Sequence, residues 1–377
     1  MIYIGVFFTS ILFLNFAFIL KKNSNALYKL CIVISIIIPC LLAALRADTV
    51  GSDTNAYVNM FKIADNASGF SEYRNNVRRY GGGTDAAFIF INYIVFKLTN
   101  SVEVELFVQE ALILIPVFLA LFIMFKNKNQ VILGTVIFYL LCYNMSLNIM
   151  RQSVALSFEI LALAFLEKNN KKYFFIFSLI GIFFHNSAIV VYGICLLYWF
   201  VKTKAIKPKA KGLILIFMII TAIGVVINIE QTLNFILSFN LLDYRYYSFT
   251  SIYLRNSADV DWITTLICLF VFILMLLNKK MLSENLKYVD FYIIMLVFGL
   301  ILNQTSNFIT YAQRIAFYFY CPCFLIVLPQ FAIKNGSCVR RKELIYSIAV
   351  FLLFAVYFIW SIMINNSNNT LPYLIRE

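Results

Sequence analysis

Arginine is sparse in this apolar chain, and its positions give the first clue to chemistry. Arg46, Arg151, Arg245 and Arg314 stand at or beside the edges of long apolar runs. A charge there is costly unless it snorkels to the headgroups or meets an anion. Guanidinium offers a planar fork of donors and keeps its charge in low dielectric, which suits phosphate. Groups able to handle a proton lie nearby in sequence. In the segment Arg46-Ala-Asp-Thr-Val-Gly-Ser-Asp-Thr-Asn-Ala-Tyr57, Gly51 allows a tight turn, and Ser52 or Asp53 can cap a short helix beginning near Thr54. Asp53 could instead orient a sugar hydroxyl or an arginine, and Tyr57, four residues on, shares its face. The chain's one histidine, His185, sits in Phe184-His-Asn-Ser187. As a neutral imidazole it can take a proton from an attacking hydroxyl, and it can equally be a satisfied interfacial residue at a helix break.

The other three arginines come with polar or aromatic company. Arg151 lies in Asn148-Ile-Met-Arg-Gln-Ser153, where Asn148 and Gln152 supply neutral donors. Glu159 is eight residues on, roughly 12 Å along a helix, and meets Arg151 only if the helix bends. Arg314 falls in Tyr311-Ala-Gln-Arg-Ile-Ala-Phe-Tyr318, a spacing that puts Tyr311, Arg314 and Tyr318 on one stripe able to clamp a diphosphate. Arg245 is interleaved with tyrosines in Asp243-Tyr-Arg-Tyr-Tyr247; stacking on sugar rings and anchoring at a membrane interface produce the same composition.

The elements that must hold these groups are membrane helices. Of 377 residues 62% are hydrophobic and 13% charged, with 39 Phe and a mean hydropathy of +0.85. Too little polar surface remains to cover such a chain in water, which sets soluble enzyme classes aside. Apolar runs long enough to cross the hydrocarbon are expected at 2–20, 27–45, 104–125, 131–147, 148–166, 213–229, 262–277, 288–309, 312–333 and 344–363. Residues 173–200 are too long for one comfortable crossing and are read as two short helices turning at His185. The run 86–98, preceded by Gly81-Gly82-Gly83, is too short to cross and is read as re-entrant or interfacial. The expectation is an all-α, polytopic fold of about twelve spans forming a single membrane domain over 1–377. Its two longer extracytoplasmic loops are 46–103, with short or re-entrant helices, and 230–261.

Charge selects the orientation. The net charge of +13 reflects 31 Lys and Arg against 18 Asp and Glu. Placing 21–29, 126–130, 167–173, 201–212, 278–290 and 334–343 in the cytoplasm puts 20 of the 31 basic residues there, as the positive-inside rule requires. That accounts for most of the charge without nucleic acid. The arginines, Asp53 and His185 then share the outer side. Eight cysteines without a CxxC pair read as buried small hydrophobes, and a single histidine excludes a histidine-rich metal site.

Arg46 with Gly51-Ser-Asp-Thr-xx-Tyr57, Asn148-xx-Arg151-Gln152, Phe184-His185-Asn-Ser187-Ala188 and Gln313-Arg314 before an aromatic run together resemble the EpsG family of bacterial polysaccharide polymerases, related to Wzy-type O-antigen and capsule polymerases. The resemblance implies a metal-independent glycosyltransferase without cofactor in the bacterial cytoplasmic membrane. Its active site would face outward and join polyprenyl-diphosphate-linked repeat units into a cell-surface polysaccharide. It places Arg46, Asp53, Arg151, His185 and Arg314 in the active cavity, and implies a flippase and a chain-length regulator of the same pathway as partners. Arg151 and Arg314, helped by Arg46 and Arg245, would bind the diphosphate, while His185 or Asp53 would take the acceptor proton. Tyr57, Gln152 and Tyr311 would add substrate contacts. A lipid-linked oligosaccharide flippase or exporter and an O-antigen-type ligase are the rival readings.

Overall fold

The structure is a computed structural model that describes residues 2–80, 85–227, 231, 261–307, 312–332 and 341–376. It is all-α over those residues, apart from one isolated antiparallel bridge between Arg46 and Ile375. Among the described residues, six helices are long and apolar enough to cross a membrane: Ile2–Leu20, Asn25–Ala44, Val102–Met124, Lys128–Asn148, Ala312–Ala332 and Leu344–Ile364. A seventh crossing counts if Trp262–Leu277 and Lys279–Asn285, bent by 82°, are one span. This is the architecture of a polytopic membrane protein; among the described residues, six or seven of the twelve expected crossings are single long apolar helices or a bent pair.

The shortfall has local causes. Residues 173–200 do break at His185, into Lys171–Phe184 and Val190–Lys202 joined by a 3-10 turn Asn186–Ile189, and neither piece has the roughly 20 residues a crossing needs. The helix Met150–Glu167 has 18 residues and carries Arg151, Glu159 and Glu167. The 86–98 run is a 14-residue helix, Ala86–Thr99, with Phe88, Ile89, Asn92, Val95 and Phe96 buried.

The chain forms two compact units. The first comprises Met1–Ile189 and Phe324–Glu377, and its helices are named here α1 (Ile2–Leu20), α2 (Asn25–Ala44), α3 (Thr54–Lys62), α4 (Phe70–Arg79), α5 (Ala86–Thr99), α6 (Val102–Met124), α7 (Lys128–Asn148), α8 (Met150–Glu167) and α9 (Lys171–Phe184). Hairpins set its register: α1 runs back as α2, and α8 as α9. Phe18 packs on Phe122 at 5.9 Å, and Lys168 donates to the Met124 carbonyl at 3.4 Å. The turns rich in lysine, 21–24, 125–127 and 168–170, therefore share one end of this unit. Each is closed by a side-chain cap, Ser24, Asn127 or Asn170, as short polar residues at helix starts do.

The second unit is Val190–Cys323. Within it, Asn303 donates to Thr265 Oγ1 at 2.9 Å and Gln304 donates to the same hydroxyl at 2.7 Å, locking Trp262–Leu277 to Val289–Gln304. Seven cysteines, Cys31, Cys40, Cys142, Cys195, Cys268, Cys321 and Cys323, are free and buried; Cys338 lies outside the described residues.

Candidate functional site

The end of the first unit opposite the lysine turns is built around a break in a helix. Between α7 and α8, Ile149 adopts φ −100° and ψ 57°, so the Leu147 and Asn148 end of one helix and the start of the next are offered to neighbouring chain. The 46–57 segment takes up that offer. Thr54 donates to the Leu147 carbonyl at 3.3 Å and to the Val50 carbonyl at 2.7 Å. Asn148 Oδ1 accepts from Ser52 Oγ at 2.7 Å and from the Asp53 amide at 2.9 Å. Gly51 has φ +95°, and a Cβ there would sit 2.7 Å from Thr54 Oγ1 and 3.0 Å from the Leu147 carbonyl oxygen. Only glycine fits so close a left-handed turn. Two of the sequence motifs are thereby joined into one structure by Asn148.

Asp53 occupies the N-cap position of α3, yet its side chain makes no capping bond. The expected cap is therefore absent, and the reason is geometric: Asp53 has φ −97° and ψ −6°, a helical conformation, whereas a capping side chain needs an extended one. Its half-buried carboxylate stays at the surface of the turn. Tyr57, one turn into α3, is buried with its ring 5.5 Å from Phe88.

Arg151 projects into that corner. Its Nη1 pairs with Asp85 Oδ2 at 2.8 Å, with the arginine side chain 21% exposed and the aspartate 8%. The Tyr57 and Phe88 rings lie 5.8 and 5.7 Å from its Cζ, within cation–π range. Its Nε is buried without a hydrogen-bond partner among the described residues. The considered pairing with Glu159 does not occur: Glu159 is buried two helical turns away, and neither carboxylate oxygen has a partner among the described residues. α8 does not bend enough to close the gap, and Asp85 reaches the guanidinium from another segment. Asp85 was missed because it abuts the Gly81–Gly83 run and carries no local signal. Gln152, next to Arg151, is buried.

His185 reaches the same end of the unit through the α8–α9 hairpin. Gly181 faces the Ala155 carbonyl, and Phe158 stacks on Phe184 at 6.0 Å, so one turn further brings His185 to the level of Arg151's end of α8. His185 closes α9 with an extended backbone. Its Nδ1 accepts the Ser187 amide at 3.2 Å and meets Ser187 Oγ at 2.7 Å. A backbone N–H cannot accept, so Nδ1 is the lone-pair nitrogen and the neutral ring carries its proton on Nε2.

Arg46 is 1% exposed. Its Nη1 donates to the Ala43 carbonyl at 2.5 Å, and Nη2 to the Leu147 carbonyl at 3.2 Å and to Met150 sulfur at 3.3 Å. Nη1 and Nη2 are thus engaged by the ends of α2 and α7 and by Met150, while Nε is buried without a hydrogen-bond partner among the described residues. In the second unit, Arg314 is half-buried one turn before Tyr318, which is fully buried; of the expected stripe, Tyr311 lies outside the described residues, as does Arg245. Among the described residues, no three His, Cys, Asp or Glu side chains are grouped so as to hold a metal ion.

The family model described as the EpsG family matches residues 29–375, a stretch containing every motif that converges here. The chain belongs to the EpsG family. No curated protein and no solved structure matches it. As an EpsG protein it is a multi-pass membrane protein of polysaccharide biosynthesis, and its family motifs at 51–57, 148–152 and 184–188 are the ones that fall at one end of the first unit.

Proposed function

We propose that this EpsG chain is a polymerase that joins polyprenyl-diphosphate-linked oligosaccharide repeat units on the outer side of the bacterial cytoplasmic membrane. The reading is supported by one observation above others: Asn148 ties the Asp53 turn to the helix start that carries Arg151, setting a carboxylate and a guanidinium on adjoining elements. In the proposed reaction an acceptor hydroxyl attacks the anomeric carbon of the donor. The new glycosidic bond forms as the carbon–oxygen bond to the lipid diphosphate breaks. Arg151 stabilises the charge growing on that diphosphate, with its unpartnered Nε available for a further bond. Asp53 takes the acceptor proton, since a surface carboxylate without a capping bond has free lone pairs.

His185 is assigned a different part from that of base. With Nδ1 held by the Ser187 amide, its Nε2–H is a donor, suited to a hydroxyl or a diphosphate oxygen. Arg46 acts by fixing the α2 and α7 ends, Tyr57 by flanking Arg151, and Gln152 by polar support beside it. Arg314 is proposed to bind anionic substrate within its own unit, and Arg245 and Tyr311 keep the substrate-binding roles expected from the tyrosines around Arg245 and from the spacing of Tyr311 to Arg314.

Reconstitution with purified lipid-diphosphate repeat units, with and without chelator, tests the reading. A ladder of lengthening glycans supports it. Single transfer points to a ligase, and translocation without new glycosidic bonds to a flippase. Arg151→Ala protein that folds and makes a normal ladder refutes the role given to that arginine.

A further inference from the structure

The last long helix ends in a π-helical turn, Ile359–Ile364, and the chain then lies across the end of the first unit that holds the Asp53 turn. Asn366 shapes the start of this stretch by bonding both the amide and the carbonyl of Leu371, at 2.9 and 2.6 Å. Thr370 is fully buried; its carbonyl accepts from Tyr3 at 2.9 Å and its hydroxyl from Asn144 at 2.8 Å. Tyr373 donates to the Leu42 carbonyl at 2.6 Å. Three main-chain bonds then join it to the 45–51 segment: Gly51 N–H to Asn369 O at 2.8 Å, Ala47 N–H to Leu374 O at 2.8 Å, and Arg376 N–H to Leu45 O at 2.9 Å. The Arg376 guanidinium pairs with Asp48 and stands 3.7 Å from Glu103 in the first turn of α6.

Irregular stretches of chain are held in place only by the bonds they make to their neighbours. This one is tied at both ends of the loop whose other side is held by Leu147 and Asn148. We infer that residues 366–376 are a strap that positions the Gly51-Ser52-Asp53 turn, with Arg376 as its positioning residue. The inference rests on the polymerase reading for what the turn does, and on the hydrogen bonds alone for what the strap holds. The two acidic partners of Arg376 belong to different elements, so a single guanidinium fixes the turn against the bundle, and loosening it lets Asp53 drift from the acceptor hydroxyl.

The test uses the full-length protein in lipid nanodiscs as wild type, Arg376→Ala, Arg376→Lys and a deletion of 366–376. Amide exchange at Ala47 and Gly51 reports the strap without reference to activity, and it is expected to accelerate in Arg376→Ala and further in the deletion. Initial rates with lipid-diphosphate repeat units are expected to show kcat falling about tenfold or more in Arg376→Ala, with KM within roughly twofold, because displacement of a reacting group by about 1 Å costs on the order of a hundredfold. Arg376→Lys, keeping one ion pair and losing the fork, should recover part of the rate. Unchanged exchange at Ala47 and Gly51 in the deletion overturns the strap. Faster exchange with an unchanged kcat, measured well below the melting temperature, overturns its positioning role. A wild-type protein that makes no ladder counts against the polymerase reading, while the exchange data still judge the strap.

Discussion

Replacing Gly51 with alanine puts the architecture of the site to a quantitative test. The turn holds Gly51 at φ +95°, where an L-residue pays roughly 1–2 kcal/mol. The added methyl would meet Thr54 Oγ1 at 2.7 Å and the Leu147 carbonyl oxygen at 3.0 Å. Neither neighbour can yield cheaply. Thr54 Oγ1 is engaged with two carbonyls, and the Leu147 oxygen also receives Arg46. Relief requires the turn to back away by a few tenths of an ångström from the end of α7, which strains the two bonds to Asn148 that place Asp53. With each such bond contributing about 1 kcal/mol, the total loss is on the order of 2–4 kcal/mol, and the polymerisation rate should fall about tenfold or more. The natural control is Gly5→Ala. Nothing lies within 4 Å of a Cβ at Gly5, and it sits inside a helix, where alanine is favoured by about 1 kcal/mol. Thermal melting in nanodiscs and product sizing should therefore move in opposite senses, Gly51→Ala down and Gly5→Ala level or up. A Gly51→Ala protein with unchanged melting and a full-length ladder would refute the packing of this turn against the helix break.

Other expectations follow from the same geometry. Asp85→Asn should keep a neutral partner for Arg151 while removing its counter-ion, so inorganic diphosphate should inhibit the variant at lower concentration than wild type; equal inhibition argues that Arg151 does not meet the diphosphate. His185→Gln can present a donor near the place of Nε2, whereas His185→Asn imitates Nδ1, so glutamine should retain at least several-fold more activity; equal loss in both would return His185 to the role of base. Glu159→Gln preserves volume at a side chain with no partner among the described residues, and activity should stay within about twofold, whereas a large loss would reveal a partner not identified here. At the start of α4, the hydroxyl and amide of Ser68 bond the Glu72 carboxylate at 2.6 and 2.9 Å and hold its pKa below the usual value. That bonding is present above the ordinary carboxylate range and is lost as pH falls through the lowered value, so the protection of the Ser68 and Tyr73 amides, taken relative to intrinsic exchange at the same pH, should fall in acid and not in base.

What could be read from sequence were the features that depend on near neighbours. Apolar runs locate the long helices, the His185-Asn186-Ser187 interruption locates the turn between two short ones, and Gly51 marks a tight turn before a helix at Thr54. Lysine placement anticipates that 21–24, 125–127 and 168–170 share an end. The contacts that give the site its geometry are remote in sequence and were not legible. Arg151 finds Asp85, 66 residues away, instead of Glu159 on its own helix. Arg376 finds Asp48 from 328 residues away. Arg46, anticipated as a ligand for phosphate, also holds two helix ends that only tertiary packing brings within reach. The helix-capping expectation for Asp53 failed for a different reason: residue type favours the cap, but the backbone angles imposed by Gly51 and Asn148 deny it.

The break at Ile149 links these observations. A continuous helix through 144–167 would satisfy the Leu147 carbonyl internally and remove the acceptor that Arg46 and Thr54 share. By interrupting the ladder, the chain exposes a carbonyl that accepts from Arg46 and Thr54, and frees Asn148 to reach the loop. Arg151 then starts the next helix at the height of the loop instead of sinking deeper into the apolar bundle. An arginine costs less there, because it meets Asp85 and two aromatic rings. The position of the break, more than the number of arginines, decides which charged side chains meet at this end of the unit. Moving it by one residue would rotate Arg151 by about 100° around the helix and uncouple it from Asp85.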